Sequence, residues 1–370
     1  MTIKKAITLL HLWIGLVSGL IIFIICITAA IWSFSPEIED LASYRHVIPK
    51  GIPVLSVSSL KAIADKQLPD KKLNSLLIFG DTKKSAIAEF YGGGYYYAAY
   101  IDPYTGKVLK LRDEGHTFFR YVILGHYSLW LGNFGKQIVR WTTLLFLIML
   151  ISGIIVWWPR NKAARKQRFK IKLGTSPKRL NYDLHNVLGF YASWIILFAV
   201  LTAVVWTFDF ARDAEYFAGS TGKTFPGYHD VIVKKQIGDK GIISKIDSLY
   251  ALQAASHKKN YMTTISFPAD DSSVYTISVY PHKQMYDYDA YHYDQYTFKE
   301  VPVTFGGKYA DANNGEKIVR MNYDIHIGNI IGLPGRIAMF FAVLVCASLP
   351  ITGFYIWWGK NKKKKSTFRH

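Results

Sequence analysis

The stretch ITLLHLWIGLVSGLIIFIICITAAIWSF, residues 7–34, indicates the fold class, because no Asp, Glu, Lys or Arg interrupts its apolar run. Three further stretches of the 370-residue chain share this property: 141–158, 187–208 and 337–359. As a helix, each is long enough to cross about 30 Å of hydrocarbon. The sequence therefore predicts an all-α membrane bundle of four helices.

The basic residues indicate how these helices are oriented. The net charge is +19, and three acid-free pieces carry much of it: Lys4 with Lys5, the loop from Arg160 to Arg179, and the tail 360–370. Segments of this kind stay on the cytoplasmic side of a membrane. We therefore expect a bacterial inner-membrane protein with both termini in the cytoplasm and two long outward-facing connections. Anionic lipid headgroups of the bilayer, rather than nucleic acid, are the expected partners of the basic pieces.

Only two cysteines occur, Cys26 and Cys346, and both fall inside predicted helices. The sequence thus offers neither a disulfide framework nor a CxxC motif, and both residues are expected to be small buried apolar groups. The first helix follows two lysines, as a secretory signal does. Its apolar run is longer than a signal's and lacks a small-x-small cleavage site, so we expect a retained anchor.

The chain also repeats itself at fixed spacing. Residues 120–136, RYVILGHYSLWLGNFGK, precede the second helix, and residues 320–336, RMNYDIHIGNIIGLPGR, precede the fourth. These two helices end with SGIIVWW, 152–158, and TGFYIWW, 352–358. The first and third helices each carry a histidine four residues before a glycine, at His11 and His185. Matched positions of this kind predict a bundle built from two repeats.

Each long connection has the pattern of a small α+β module. The first predicts a helix over 58–67, strands over 73–79, 85–91 and 95–102, a hairpin at Gly92 to Gly94, and a turn in DPYTGKVL, 102–109. The second predicts a helix over 244–255, strands over 261–267 and 273–280, and a turn over 294–299. Neither connection contains a GxGxxG or P-loop motif, so the sequence shows no flavin or nicotinamide fingerprint.

These motifs resemble the PepSY-associated transmembrane proteins, which include iron-regulated membrane proteins and ferric-siderophore reductases. The resemblance covers nearly the whole chain and rests on His11-x3-Gly15-Leu-x2-Gly19, the turn DPYTGKVL, His126-Tyr-Ser-Leu with Gly135-Lys136, and the Gly-x3-Trp-Trp helix ends. It implies outward PepSY-type modules, haem bound by membrane histidines and, in some members, reduction of iron chelates. The second module departs from the pattern, since Phe298 stands where a PepSY turn carries glycine.

The predicted domain order follows from the helices and this resemblance. It is transmembrane helix 1 over 1–34, a periplasmic PepSY-like module over 35–125, a histidine segment with helix 2 over 126–159, a basic cytoplasmic loop over 160–184, helix 3 over 185–208, a second periplasmic PepSY-like module over 209–325, a histidine segment with helix 4 over 326–359, and a basic cytoplasmic tail over 360–370.

Four histidines fall at membrane depth, where an imidazole is costly unless it is paired, hydrated or bound to a metal. His11 and His185 start helices on the expected cytoplasmic side, whereas His126 and His326 precede helices that start on the outer side. Two imidazoles on opposite faces of a haem occupy both axial positions of its iron, which suits electron transfer. We therefore expect two bis-histidine haems of b type, an inner one between His11 and His185 and an outer one between His126 and His326.

The other candidate residues have competing interpretations. Lys136 and Arg336 are candidate partners of haem propionates, or else anchors at lipid headgroups. The remaining histidines lack metal-ligand spacing and are expected to be solvated: His46, His116, His229, His257, His282, His292 and His370. The tyrosine-rich strands either line a groove for an aromatic chelate or form cross-strand pairs: Tyr95 to Tyr97, Tyr286, Tyr288, Tyr291, Tyr293 and Tyr296.

Three functions remain open from the sequence. The first is a di-haem electron-transfer protein, an oxidoreductase that reduces a ferric siderophore or other ferric chelate on the periplasmic side. Its electrons would come from an unidentified cytoplasmic donor or the quinol pool. The second is a membrane-anchored PepSY module that binds or inhibits another protein without redox activity. The third is a metal-ion transporter whose histidines line the path.

Overall fold

The computed structural model describes residues 1–159, 161–228, 231–234, 243–256 and 260–367. Several residues named above, Arg160, His229, His257 and His370, lie outside the described residues. The chain forms two compact units. The helical unit comprises 1–35, 121–211 and 324–370, and the sheet unit comprises 36–120 and 212–323.

The helices and strands are numbered here in chain order. The helices are α1 Ile3–Trp32, α2 Ser35–Asp40, α3 Val57–Asp65, α4 Phe118–Ser128, α5 Gly132–Trp157, α6 Lys162–Arg168, α7 Pro177–Asp183, α8 Gly189–Thr207, α9 Asp209–Gly219, α10 Ser244–Ser256, α11 Asn314–His326 and α12 Leu333–Thr367. The strands are β1 Ser75–Phe79, β2 Ala86–Gly92, β3 Tyr95–Ile101, β4 Val108–Asp113, β5 Met262–Ser266, β6 Val274–Tyr280 and β7 Asp289–Asp294.

Four helical stretches are long and apolar enough to cross a membrane: Ile3–Asp40, Gly132–Trp157, Pro177–Thr207 and Leu333–Lys360. Each overlaps one of the apolar stretches predicted from the sequence. The third is composite, because α7 continues through a π-helical turn, Leu184–Leu188, into α8. The chain is thus a multi-pass membrane protein, and the prediction of four membrane helices is confirmed.

The four long helices pack as a ring, in which α1 contacts α5 and α12 while α8 contacts the same two helices. Helices in lipid associate through close packing, which small side chains allow. Ala192, Ala342 and Ala347 are among the buried residues of this core, together with Cys26 and Cys346. Both cysteines are free and buried, as expected from the sequence.

The seven strands form one antiparallel sheet in the order β4-β3-β2-β1-β5-β6-β7. The centre of the sheet is the pair β1 and β5, whose register runs from Ser75 opposite Ser266 to Phe79 opposite Met262. One face of the sheet buries its apolar side chains with those of α3 and α10. The two long connections therefore fold together into a single sheet domain.

The turn at Phe298 shows how the second connection departs from the glycine pattern. Gly106 of the first turn has φ of +73°, and Phe298 adopts nearly the same conformation with φ of +57°. Both backbone N–H groups donate to an aspartate carbonyl, of Asp102 at 2.9 Å and of Asp294 at 2.8 Å. The Phe298 ring is buried and stacks on Tyr275 with 5.5 Å between ring centres. Packing of the ring thus offsets a backbone conformation that costs roughly 1–2 kcal/mol for a residue with a Cβ.

Candidate functional site

The two histidines that precede α5 and α12 lie side by side in the helical unit. His126 is near the end of α4 and His326 is the last residue of α11. Their ring centres are 6.2 Å apart and their ring planes are inclined by 77°. The sequence therefore predicted this pair correctly, although the partners are 200 positions apart in the chain.

The repeated glycines place these histidines. After each histidine the chain reverses through a glycine with positive φ, +56° at Gly132 and +70° at Gly332. Three residues later, a Cβ on Gly135 or Gly335 would fall 1.6 or 2.1 Å from a backbone oxygen just beyond the histidine. Only a residue without a side chain permits this approach. The Gly-x2-Gly spacing is thus a packing requirement that holds each histidine beside the membrane helices.

Both rings are fixed through their Nδ1 atoms. His126 Nδ1 lies 3.0 Å from the carbonyl oxygen of Ile25, and His326 Nδ1 lies 2.9 Å from that of Ala199. A carbonyl oxygen only accepts hydrogen bonds, so Nδ1 must carry the ring proton in each case. A neutral imidazole then has its free lone pair on Nε2, the form that binds a metal ion.

The same arrangement recurs at the other end of the bundle. His11 Nδ1 lies 3.1 Å from the carbonyl oxygen of Met149, and His185 bonds to the backbone of Leu349. His185 lies in the π-helical turn, a deviation that is frequent at functional sites. His11 and His185 are close enough to interact electrostatically. The predicted partners are therefore neighbours in this pair as well.

Two glycines make room for these rings. A Cβ at Gly153 would lie 3.1 Å from Cε1 of His11, and a Cβ at Gly353 would lie 3.1 Å from Cε1 of His185. Carbon atoms prefer contacts of about 3.5–4.0 Å. Both imidazoles thus lie directly against the backbone of a neighbouring helix.

The helix geometry gives the separation of the two pairs. The backbone groups that hold His126 and His326, at Ile25 and Ala199, each follow His11 or His185 by 14 residues. At about 1.5 Å of rise per residue this is roughly 21 Å along the helix axis. The pairs therefore lie at different depths of the bundle.

The pair geometry fits a haem iron. Two imidazoles bound to one metal ion at about 2 Å from each ring nitrogen would have ring centres about 6 Å apart, close to the observed 6.2 Å for His126 and His326. Within the part of the chain that the structure describes, no Nε2 of the four histidines makes a hydrogen bond to protein. The described residues also contain no group of three or more His, Cys, Asp or Glu side chains able to hold a metal ion. Each pair thus supplies two ligands, the number that completes the axial coordination of a haem.

The comparison with known families agrees with this geometry. The family model of the PepSY-associated TM region matches residues 8–360. The chain belongs to this family. The matched range includes all four histidines and both connections that form the sheet. Among curated proteins, none matches the chain.

In this family member the two predicted propionate partners differ in their surroundings. Lys136 is exposed, and its ammonium lies 5.9 Å from the centre of the Tyr127 ring. Arg336 is half-buried and donates to the backbone carbonyl of Ser33. Sequence reasoning missed Arg140, whose guanidinium lies 4.4 Å from the centre of the Phe208 ring. Its buried Nε has no hydrogen-bond partner among the described residues, so Arg140 is a further candidate for a propionate.

The remaining described histidines have different surroundings. Both nitrogens of His292 are engaged, Nδ1 with Thr276 at 3.0 Å and Nε2 with the Gly306 carbonyl at 3.3 Å. Burial lowers the pKa of this histidine and the carbonyl contact opposes the shift. His46, His116 and His282 bond to backbone or aspartate at the surface of the sheet unit. This family member thus leaves Nε2 unbonded at membrane depth and uses its other described histidines structurally.

The tyrosine clusters are divided between the two faces of the sheet. Tyr291 and Tyr293 are buried in the core, where Tyr293 accepts a hydrogen bond from Gln253. On the opposite face, Tyr100 donates to Glu114, whose carboxyl also pairs with Arg112. Burial raises the pKa of Glu114, while the Tyr100 and Arg112 contacts oppose the shift. These contacts support the cross-strand interpretation of the tyrosines.

Proposed function

We propose that this chain binds two haems and transfers electrons across the membrane to a ferric chelate, most readily a ferric siderophore. The observation that carries the proposal is the state of the four membrane histidines. Each is bonded through Nδ1 to its own half of the chain, and each has its Nε2 lone pair unengaged. A haem bound between each pair would supply a centre that gains and loses one electron. The protein would then be an oxidoreductase of the ferric-chelate reductase type.

The contacts support a bundle built from two repeats. In the first half, His11 contacts Met149 and His126 contacts Ile25. In the second half, His185 contacts Leu349 and His326 contacts Ala199. The positions in α1 and α8 differ by 174, and those in α5 and α12 differ by 200. Each half thus holds its own two histidines, and each pair brings together one histidine from each half.

The charge pattern supports an orientation for the two pairs. The basic loop and tail follow α5 and α12 at the ends marked by the paired tryptophans, and acid-free basic segments remain cytoplasmic. This orientation makes His11 and His185 the inner pair and His126 and His326 the outer pair, with both termini inside the cell. The separation of roughly 21 Å spans much of a hydrocarbon core of about 30 Å.

The residues of the chain have defined roles in this proposal. The imidazoles bind iron, the carbonyls of the neighbouring helices fix their tautomers, and the ring of apolar helices excludes water. Lys136, Arg140 and Arg336 are the cations available to haem propionates. The sheet unit supplies the surface on which the acceptor docks. The donor on the cytoplasmic side is a soluble carrier, another protein or quinol.

The test begins with the purified full-length protein. Absorption spectra of the oxidised and reduced forms, with haem per chain quantified, should show two low-spin haems. Stopped-flow mixing of the reduced protein with a ferric siderophore should then reoxidise it, and His292→Ala serves as the matched histidine control. Absence of haem would contradict the proposal and favour a binding module or a transporter. Two haems that no ferric chelate reoxidises would leave an electron carrier with another acceptor.

A further inference from the structure

Each membrane histidine has a side-chain hydroxyl as a second neighbour at Nδ1. The hydroxyl oxygens lie at these distances from Nδ1: Thr28 3.4 Å from His126, Ser152 3.1 Å from His11, Thr202 3.0 Å from His326, and Thr352 2.9 Å from His185. The set follows the repeat, since Thr28 and Thr202 come 17 residues after His11 and His185. None of these hydroxyls was singled out from the sequence.

The hydrogen of each hydroxyl is already directed to its own helix. Ser152 donates to Met149 at 3.0 Å, Thr202 to Ala199 at 2.9 Å, and Thr352 to Ser348 at 3.0 Å. Thr28 likewise donates to Ile24 at 2.7 Å. The oxygen therefore presents a lone pair to the histidine, and Nδ1–H is shared between a carbonyl and a hydroxyl.

We infer that Thr28, Ser152, Thr202 and Thr352 are positioning residues that fix each imidazole plane and strengthen its electron donation to the metal at Nε2. The inference rests on the proposed function. A second acceptor on Nδ1–H draws the proton further from the ring, which makes Nε2 a stronger donor and stabilises oxidised iron. The carbonyl alone is sufficient to set the tautomer, so the hydroxyl adjusts a ligand that would bind without it.

The distances predict a graded effect within one pair. Thr202 lies within the usual hydrogen-bond range of 2.7–3.2 Å, whereas Thr28, at 3.4 Å, lies beyond it. Removal of the Thr202 hydroxyl should therefore affect the outer site more than removal of the Thr28 hydroxyl. A weak hydrogen bond changes an equilibrium by roughly threefold to tenfold.

The experiment compares Thr202→Val, Thr28→Val and Ser152→Ala in the full chain. Thr143→Val and Ser18→Ala are matched controls, because these buried hydroxyls bond only to their own helices, at Val139 and Ile14. The measurements are haem per chain, the g values of the oxidised protein by electron paramagnetic resonance, and the midpoint potential of each site.

We expect both haems to be retained. Thr202→Val should shift the outer site toward reduction by threefold to tenfold in the ratio of reduced to oxidised protein, where tenfold corresponds to about 59 mV for one electron. Thr28→Val should shift the same site less, and Ser152→Ala should shift only the inner site. The g values should change with the plane of the affected ring.

Two outcomes would overturn the inference for different reasons. Two haems in the wild-type protein, with potentials and g values that do not move beyond those of the controls, would reject the positioning role and leave the proposed function intact. A wild-type protein that binds no haem would reject the proposed function and the inference with it.

Discussion

A methyl group added at position 353 tests whether the space around His185 is reserved for a liganded imidazole. The new Cβ of Gly353→Ala would lie 3.1 Å from Cε1 and 3.6 Å from Nδ1 of the ring. An ordinary carbon contact is about 3.5–4.0 Å, so the ring must retreat by roughly 0.4 Å or more. Metal–ligand distances tolerate only about 0.2 Å, so the inner site should lose its geometry.

The helix itself should gain from the same substitution. Alanine is more favourable than glycine in a helix interior by about 0.5–1 kcal/mol. Gly353→Ala should therefore fold at least as well as the wild type while its inner site binds haem about 10- to 100-fold more weakly. The outer pair should keep its haem, because His126 and His326 lie at a different depth.

The assay is a haem titration of the purified protein, followed by reduced-minus-oxidised difference spectra and thermal unfolding. Gly189→Ala is the matched control, since its Cβ would make an ordinary contact of 3.4 Å with the side chain of Leu349. Full occupancy of two sites in Gly353→Ala, with wild-type affinity, would refute the reasoning. Equal loss in the control would show that any added methyl group in the bundle perturbs binding.

The remaining predictions concern topology, activity and the sheet. A reporter fused after Lys365 should be cytoplasmic, because it follows an acid-free basic segment, and an outward location would contradict the four-helix topology. In stopped-flow with a ferric siderophore, His326→Ala should slow reoxidation of the inner site, whereas equal rates in wild type and variant would reject a relay through the outer pair. Phe298→Ala should destabilise the sheet unit by about 3–5 kcal/mol through loss of the buried ring, and Phe298→Gly should be less destabilised by about 1 kcal/mol because glycine tolerates positive φ. Thermal unfolding measures both, and equal losses would show that φ at this turn costs nothing.

The membrane helices were predictable because uncharged apolar runs are long and continuous. The sequence also predicted β1, β2, β3, β5 and β6 from their apolar alternation. It missed β4 and β7. The sequence of β7, DAYHYD, mixes acids with tyrosines, and only Tyr291 and Tyr293 of this strand face the core.

The joining of the two connections into one sheet was not predictable from local patterns. Strand β1 lies beside β5, from the other half of the chain, and no short-range signal specifies such a pairing. The two modules were therefore predicted separately. Their common sheet depends on long-range contacts such as the hydrogen bonds from Ser58 to Asp247, at 2.8 and 2.5 Å.

The histidine pairs were predictable because the repeat and the charge pattern together place equivalent residues at the same depth. The groups that hold the rings were not, because Thr28 and Thr202 are ordinary hydroxyl residues inside apolar helices. Ser152-Gly153 and Thr352-Gly353 stood within a repeated motif, yet only the contacts with His11 and His185 reveal their roles. A spacing of 17 residues between histidine and threonine in both halves was the signal available in the sequence.

Haem content of two double variants tests the central claim most directly. If each haem is held by one histidine from each half, His11→Ala with His185→Ala should leave one bis-histidine haem per chain. His11→Ala with His126→Ala removes one ligand from each pair and should leave none. One fully occupied low-spin haem with an unchanged spectrum in the His11→Ala, His126→Ala protein would contradict the account.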